Sequence, residues 1–390
     1  MSRIEELIKE KCPNEVEYKR LKDICEIKTG KGITIKECDK CGLYPIISGG
    51  ILPMGYCNKF NRRANTVTIS RAGTAGYVNY IYNDFYLNDK CFSIIPINDM
   101  NERYLYYALK NMQNKIYSLK SYGTVPTVTT KKIGKVKIPI PPIEVQEEIV
   151  RILDKFSELE AELEAELEVR KKQYEFWRDK ILNPQNANNV CKLSEIASVK
   201  ARIGWQGLTK SEYLTSGDYY LITGVDFKNG AVDLKGCYYI DKKRYIQDRN
   251  IQVKNDDVLV TKDGTLGKVA YVDNLDKPAT LNSGVFVVRS TTNKITNKFL
   301  YHYLRSSYLM NYAKTRITGG TIKHLNQNIM IDVPVPIFPL EVQNKIVNIL
   351  DKFDKLINNI NEGIPAEIEA RRKQYEYYRN KLLSFDEESN

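Results

Sequence analysis

Histidine is nearly absent from this chain: His302 and His324 are the only two in 390 residues. Two isolated imidazoles, one in a helical stretch and one in a loop, do not make a histidine-based nuclease or metal centre. Of the eight cysteines only Cys38 and Cys41 form a C-x-x-C pair, and no second pair completes a tetrahedral zinc site. The remaining cysteine spacings are irregular, which implies reduced thiols rather than a disulfide framework. No G-x-G-x-x-G or G-x-x-x-x-G-K-[S/T] string occurs, so the common nucleotide cradles are excluded. A base-flipping adenine methyltransferase also needs an Asn/Asp-Pro-Pro-Tyr-like segment, yet Asn183-Pro184 continues as Gln-Asn and Pro141-Pro142 follows Ile140. The acid-x-Lys pairs Glu26-Ile27-Lys28 and Asp226-Phe227-Lys228 are of a kind that arises often by chance. Apolar runs are short as well: none approaches the roughly 18 residues of a membrane span. The start, Met-Ser-Arg-Ile-Glu-Glu-Leu, lacks the apolar core of a secretory signal. A non-catalytic cytoplasmic chain, with no metal or cofactor of its own, is expected.

What the chain does contain is a sequence written twice. VKIPIPPIEVQ at 136–146 matches VPVPIFPLEVQ at 333–343, and IVRILDKF at 149–156 matches IVNILDKF at 346–353, both at an offset of 197. RKKQYEFWRDKIL at 170–182 matches RRKQYEYYRNKLL at 371–383 at an offset of 201. Upstream, YPIISGG (44–50) pairs with YYLITGV (219–225), ISRAGTAG (69–76) with VTKDGTLG (260–267), and GTV (123–125) with GTI (320–322). The offsets only grow along the chain, as loop insertions between two copies of one fold require.

Charge separates two kinds of segment. Residues 1–143 carry a net +10 and 183–340 a net +8, whereas 144–182 and 341–390 carry −5 and −2. Confining the positive charge to two lobes fits phosphate neutralisation on a nucleic acid, with the acidic segments left for protein contacts. A basic surface also serves solubility.

Between Glu144 and Leu182 there is neither Pro nor Gly, which predicts one helix of about 39 residues and about 58 Å. Phe156, Leu159, Leu163, Leu167, Arg170, Tyr174, Trp177 and Ile181 alternate steps of three and four, the spacing of a coiled-coil seam. Leu350, Phe353, Ile357, Ile360, Ile364, Ile368, Arg371, Tyr375, Tyr378 and Leu382 repeat it, with Gly363 and Pro365 threatening a break. Antiparallel pairing of the two helices makes a ruler between the lobes; ordinary core-facing stripes are the alternative. The tetrads ELEA, ELEA and ELEV at 158–169 each add about 6 Å to it.

Within each lobe, short β-runs such as Thr66–Ile69 and Val258–Thr261 and one amphipathic helix (Leu105, Leu109, Met112, Ile116; Leu300, Leu304, Tyr308) predict an α+β fold. The turns after Arg71 and Lys262 read Gly-Thr-x-Gly, where backbone approaches a ligand closely, Thr offers a hydroxyl, and Arg71 grips a guanine edge. A plain β-turn fits the same residues. The candidate DNA contacts are Lys28, Lys31, Ser48, Gly49, Gly50, Arg71, Gly73, Thr74, Tyr77, Tyr122 and Thr124 in the first lobe. In the second they are Lys200, Arg202, Thr223, Lys262, Gly264, Thr265, Lys268, Thr321 and Lys323.

The assembled motif, IPIPPIEVQEEIVRILDKF followed by RKKQYEFWRDKIL and both second copies, resembles the type I restriction-modification specificity subunits. That resemblance implies target recognition domains at 1–143 and 183–340, a central conserved spacer helix at 144–182 and a C-terminal one at 341–390. It also implies double-stranded DNA as partner, with two modification subunits that use S-adenosylmethionine to methylate adenine. Restriction subunits using ATP and Mg would complete such an assembly. Tyr174, Trp177, Tyr375 and Tyr378 are the expected partner-subunit contacts, with closure of the helix pair as their competing role. A DNA-binding scaffold without an enzyme partner is the alternative function.

Overall fold

The structure, a computed structural model, describes residues 3–13, 16–97, 99–121, 123, 125–317, 324–359 and 362–385. It divides into two compact units, one of residues 1–162 and 368–390, the other of 163–367.

In the first unit, β1 (Cys25–Thr29), β4 (Thr66–Ser70), β5 (Val78–Ile81) and β7 (Cys91–Pro96) form an antiparallel sheet in the order β1-β7-β4-β5. A smaller sheet, β3-β2-β6, joins Gly55–Cys57, Tyr44–Ile47 and Tyr86–Leu87, with β2 and β6 parallel. Strand β4 is rich in β-branched residues and buried along most of its length, because helix α1 (Glu102–Asn111) packs on it. Asn101 caps α1 by accepting from the backbone N–H groups of Arg103 and Tyr104.

The second unit repeats this plan strand for strand. β8 (Ala197–Ala201), β14 (Val285–Ser290), β11 (Val258–Thr261) and β12 (Val269–Tyr271) lie in the order β8-β14-β11-β12, extended by the hairpin Phe227–Lys228/Ala231–Val232. Its smaller sheet holds β10 (Tyr238–Ile240), β9 (Tyr219–Ile222) and β13 (Ala279–Leu281), again with the inner pair parallel, and adds Gln252–Val253. The runs Thr66–Ile69 and Val258–Thr261 are thus equivalent strands, as their sequences suggest. The single amphipathic helix expected in each lobe is two. Gln113–Ser118 follows α1, and Ser307–Lys314 follows Asn297–Arg305, where the Ser306 side chain leaves helical geometry to cap Tyr308 N–H.

The repeated Pro-x-Glu-Val-Gln segment, Pro142–Gln146 and Pro339–Gln343, fastens each lobe to its helix. The Gln146 amide donates to Pro141 O (2.8 Å) and accepts from Asn101 N (3.1 Å), fully buried against the cap of α1. Gln343 does the same with Phe338 O (2.8 Å), Lys294 O (2.7 Å) and Thr296 N (3.1 Å). Tyr104 and Tyr303 donate to the prolyl carbonyls of Pro139 and Pro334.

Helix α2 runs unbroken from Ile143 to Ile181, 39 residues. The second stripe is not one helix. α3 (Leu340–Asn358) stops at Asn359, and α4 (Gly363–Leu383) starts at a glycine with φ +77° whose Cβ would lie 2.5 Å from Leu356 O. Pro365, in the first turn of α4, has no N–H to lose there. The break therefore precedes Gly363. Within the first unit, Phe156 meets Tyr375 (6.5 Å between ring centroids) and stacks on Tyr378 (5.4 Å), while Glu160 pairs with Arg372 (2.6 Å). The rising numbers on α2 meet falling numbers on α4, so the two run antiparallel. Within the second unit, Tyr174 meets Phe353, also at 6.5 Å. Each copy's Leu-Asp-Lys-Phe phenylalanine faces the other copy's tyrosine.

Candidate nucleic-acid interface

In the first unit the turn after β2 and the turn after β4 are locked together. Gly49 O accepts from both Thr74 N (2.8 Å) and Thr74 Oγ1 (2.7 Å), and Ser48 O accepts from the Cys91 thiol (2.8 Å). A Cβ on Gly49 would lie 2.2 Å from Ala72 O, and one on Gly73, at φ +76°, 2.7 Å from Gly49 O. Glycine is thus required at both positions by the close approach of two backbones. Arg71 is exposed beside this contact; its N–H donates to Lys90 O (2.8 Å) and its carbonyl accepts from Val128 N (2.9 Å). Lys31 N–H donates to Leu87 O (2.9 Å), which brings a further exposed cation to the same end of the sheets. No ion pair within 4 Å occupies Lys31, Arg71 or Lys90 among the described residues. Ser48, Gly49, Gly50, Arg71, Gly73, Thr74 and Lys31 are therefore brought together.

Lys28 is not in this group, and Tyr77 joins it only through its backbone, its N–H donating to Thr74 O (2.9 Å). Lys28 sits along β1 with Glu26 at 2.7 Å, and the half-buried Tyr77 ring carries the Lys110 ammonium 4.4 Å from its centroid, against α1. Tyr122, Thr124, Thr321 and Lys323 lie outside the described residues.

In the second unit the same two turns adjoin differently. A Cβ on Gly224 would lie 2.9 Å from the Thr261 methyl, and the buried Thr223 caps Asp226 through its N–H (2.7 Å) and hydroxyl (2.8 Å). Thr261 Oγ1 donates to Thr265 O and accepts from Lys268 N (2.9 Å), which shapes the Gly264 turn at φ +69°. Lys262 occupies the place of Arg71: its N–H donates to Gly284 O (2.9 Å) and its carbonyl accepts from Leu325 N (3.0 Å). Lys200 and Lys268 are exposed. Arg202 is buried and lines a cavity beside Lys262. It is 2% exposed, and its guanidinium donates to Leu281 O (2.9 Å) and Thr280 Oγ1 (3.2 Å), bracing β13, while its Nη1 has no hydrogen-bond partner among the described residues. Burial lowers its pKa.

Sequence reasoning missed the contact next to Lys262. Where the first unit bridges Ala72 to Thr127, the second places Asp263 against His324 (2.6 Å). A cavity of about 430 Å³ is lined there by Lys262, Asp263, His324, Asn326 and Gln327, among others. Two further repeats were readable as Ser/Thr-x-x-Glu capping boxes: Thr34 with Glu37, and Thr209 with Glu212. Hydrogen bonds from Arg244 and from Thr209 N–H hold the Glu212 carboxyl down at about 2.

A profile of the family described as the type I restriction modification DNA specificity domain matches the chain twice, over residues 13–169 and 186–370. The chain belongs to this family. A protein of Haemophilus influenzae described as a type I restriction enzyme specificity subunit is 32% identical, over 95% of this chain and 96% of its own. The specificity subunit of the Escherichia coli enzyme EcoR124I/EcoR124II is 31% identical, over 95% of each. In fold, the chain resembles the crystal structure of the type I S subunit from M. genitalium, with a TM-score of 0.56 at 20% identity, over 95% of this chain and 97% of that one.

Each match to the type I specificity profile thus contains one complete pair of turns and part of the helical stem. On that stem the four expected contact aromatics differ. Tyr174 is 2% exposed, packed beside Arg178 and Arg305, and burial raises its pKa, so it closes the helix pair of this specificity-family chain. Tyr375 and Tyr378 are half-buried on Phe156. Trp177 remains open at 41% exposure, beside Phe176 (60%), which the sequence reading passed over; in the first unit Tyr377 (62%), also passed over, is open as well.

Proposed function

We propose that this chain is the non-catalytic DNA-recognition subunit of a type I restriction-modification enzyme, reading a bipartite site and directing adenine methylation by partner subunits. Residues 1–143 and 183–340 are the target recognition domains, and 144–182 and 341–390 the spacers between them. The observation that carries this reading is the duplication: two lobes of one strand plan, each presenting a glycine turn beside an uncommitted cation, Arg71 in one and Lys262 in the other. Two different lobes read two different half-sites. Arg71 suits the O6/N7 edge of guanine, and the turn amides suit phosphate. Phe176, Trp177 and Tyr377 are solvent-facing aromatics on acidic stems and serve as contacts for two modification subunits. S-adenosylmethionine belongs to those subunits, and ATP and Mg to a restriction subunit.

The test is methylation mapping of genomic DNA from cells with and without this gene, together with co-purification. Adenine methylation at one split motif, lost with the gene and accompanied by a co-purifying methyltransferase, is expected. A methylome unchanged by deletion of the gene would refute the reading.

A further inference from the structure

The locked turn of the first unit ends in two large aliphatic side chains with nothing over them. Ile51 is 57% exposed and Leu52 78%, with only Gly50 between them and the Gly49 that Thr74 clamps. The second unit repeats the feature in smaller form: after β9 and Gly224 comes Val225, 75% exposed. Single exposed aliphatics are ordinary on protein surfaces. Here, however, the equivalent turn of two divergent lobes keeps one, and in the first lobe that turn is clamped through Thr74 to the loop that carries the cation Arg71.

That setting selects the occupant. The cations call for a polyanion, and a DNA duplex offers an aliphatic tip one distinctive apolar group on its major-groove wall, the C5-methyl of thymine. Arg71, placed to read a guanine edge, addresses the same groove. The clamp fixes the tip: with Gly49 held by two hydrogen bonds, Ile51 and Leu52 are presented on a turn already ordered before DNA arrives, so little freedom is lost on contact.

We propose that Ile51 and Leu52 form an apolar reader for thymine methyl groups in the half-site of the first lobe, and that Val225 plays this part in the second. The inference rests on the proposed DNA-recognition function and goes beyond it by assigning base contacts to residues without a polar atom. It requires an A·T pair beside the position read by Arg71.

The experiment uses the full chain with its modification subunits, and duplexes of the mapped site in which each thymine of both half-sites is replaced in turn by deoxyuridine, which differs only by the methyl. With the wild-type chain, at least one replacement in each half-site is expected to weaken binding about 10-fold or more, in the range of a methyl-sized contact. With I51S/L52S, specific binding persists but weaker, and the replacement in one half-site has no further effect; both residues are exposed, so the variant keeps its fold. V225S should abolish sensitivity in the other half-site only. Specific binding that ignores every deoxyuridine replacement overturns the inference and leaves the recognition function standing. So does an I51S/L52S effect confined to self-association or to unstacking of 2-aminopurine. Absence of any site-specific binding would instead overturn the function on which it rests.

Discussion

Gln146 and Gln343 show how one side chain ties a loop, a helix cap and a proline turn into one joint. Replacing either with alanine leaves a buried N–H and a buried carbonyl unpaired, at about 1–3 kcal/mol each. Urea unfolding is expected to show Q343A and Q146A each losing roughly 2–4 kcal/mol; a loss under about 0.5 kcal/mol would remove the joint from the account. His302 makes a second residue-scale prediction. Its ring is wholly buried, Nε2 lies 2.8 Å from Asp351 Oδ1, and Nδ1 has no partner, an arrangement that suits the neutral ring donating from Nε2. Burial pushes its pKa below the ordinary value of about 6.5, against the opposing pull of Asp351. Below about pH 6.5 the unfolded chain then binds a proton that the folded chain refuses, so stability is full above that pH and falls on acidification, by at most about 1.4 kcal/mol per pH unit. Comparing denaturation between pH 7.5 and 5.5, H302Q should show a shallower decline than the wild type. Parallel declines would contradict it.

At the scale of elements, the stem α2 is the part on which function depends most simply. The tetrads from Glu158 to Val169 are exposed on most sides, and each adds about 6 Å, close to two base-pair steps. Deleting Glu162 to Ala165 is expected to shorten the unread gap of the methylated motif by one or two base pairs, as read by methylation mapping. A motif with the original gap would show that the stem sets no spacing. The stems, the Pro-x-Glu-Val-Gln joints and the two-copy plan were legible in the sequence because a buried joint tolerates little change of chemistry, so both copies keep it. The split of each lobe helix was less so, since the apolar periods Leu109–Met112–Ile116 and Leu304–Tyr308 run on across the break. The site was legible in its glycines, where two backbones touch, but the burial of Arg202 was not, because an arginine that braces carbonyls looks the same in sequence as one that faces solvent. Tyr174 failed for the same reason. Ile51 and Leu52 passed unnoticed because nothing in a sequence separates an apolar residue left outside from one packed within.

For the molecule as a whole, the order of residues along the chain and their order in space disagree in one place. The first unit begins near the N-terminus but is finished by residues after 367: Leu382 and Leu383 enter its core, Lys381 pairs with Glu5 (2.8 Å), and the Tyr18 hydroxyl donates to Phe385 O (2.8 Å). A ribosome therefore delivers the last strip of the first lobe's core only after the entire second lobe has been made. Until then Leu153, Phe156 and their neighbours wait uncovered, and a chaperone or a stalled nascent chain would meet them there. A stop codon in place of Arg371 should accordingly do its damage about 220 residues upstream: amide exchange in residues 145–156 is expected to accelerate at least tenfold, while β11 and β14 keep their protection. Equal loss in both regions would mean that the lobes fold as one, and that the timing of translation sets no order between them.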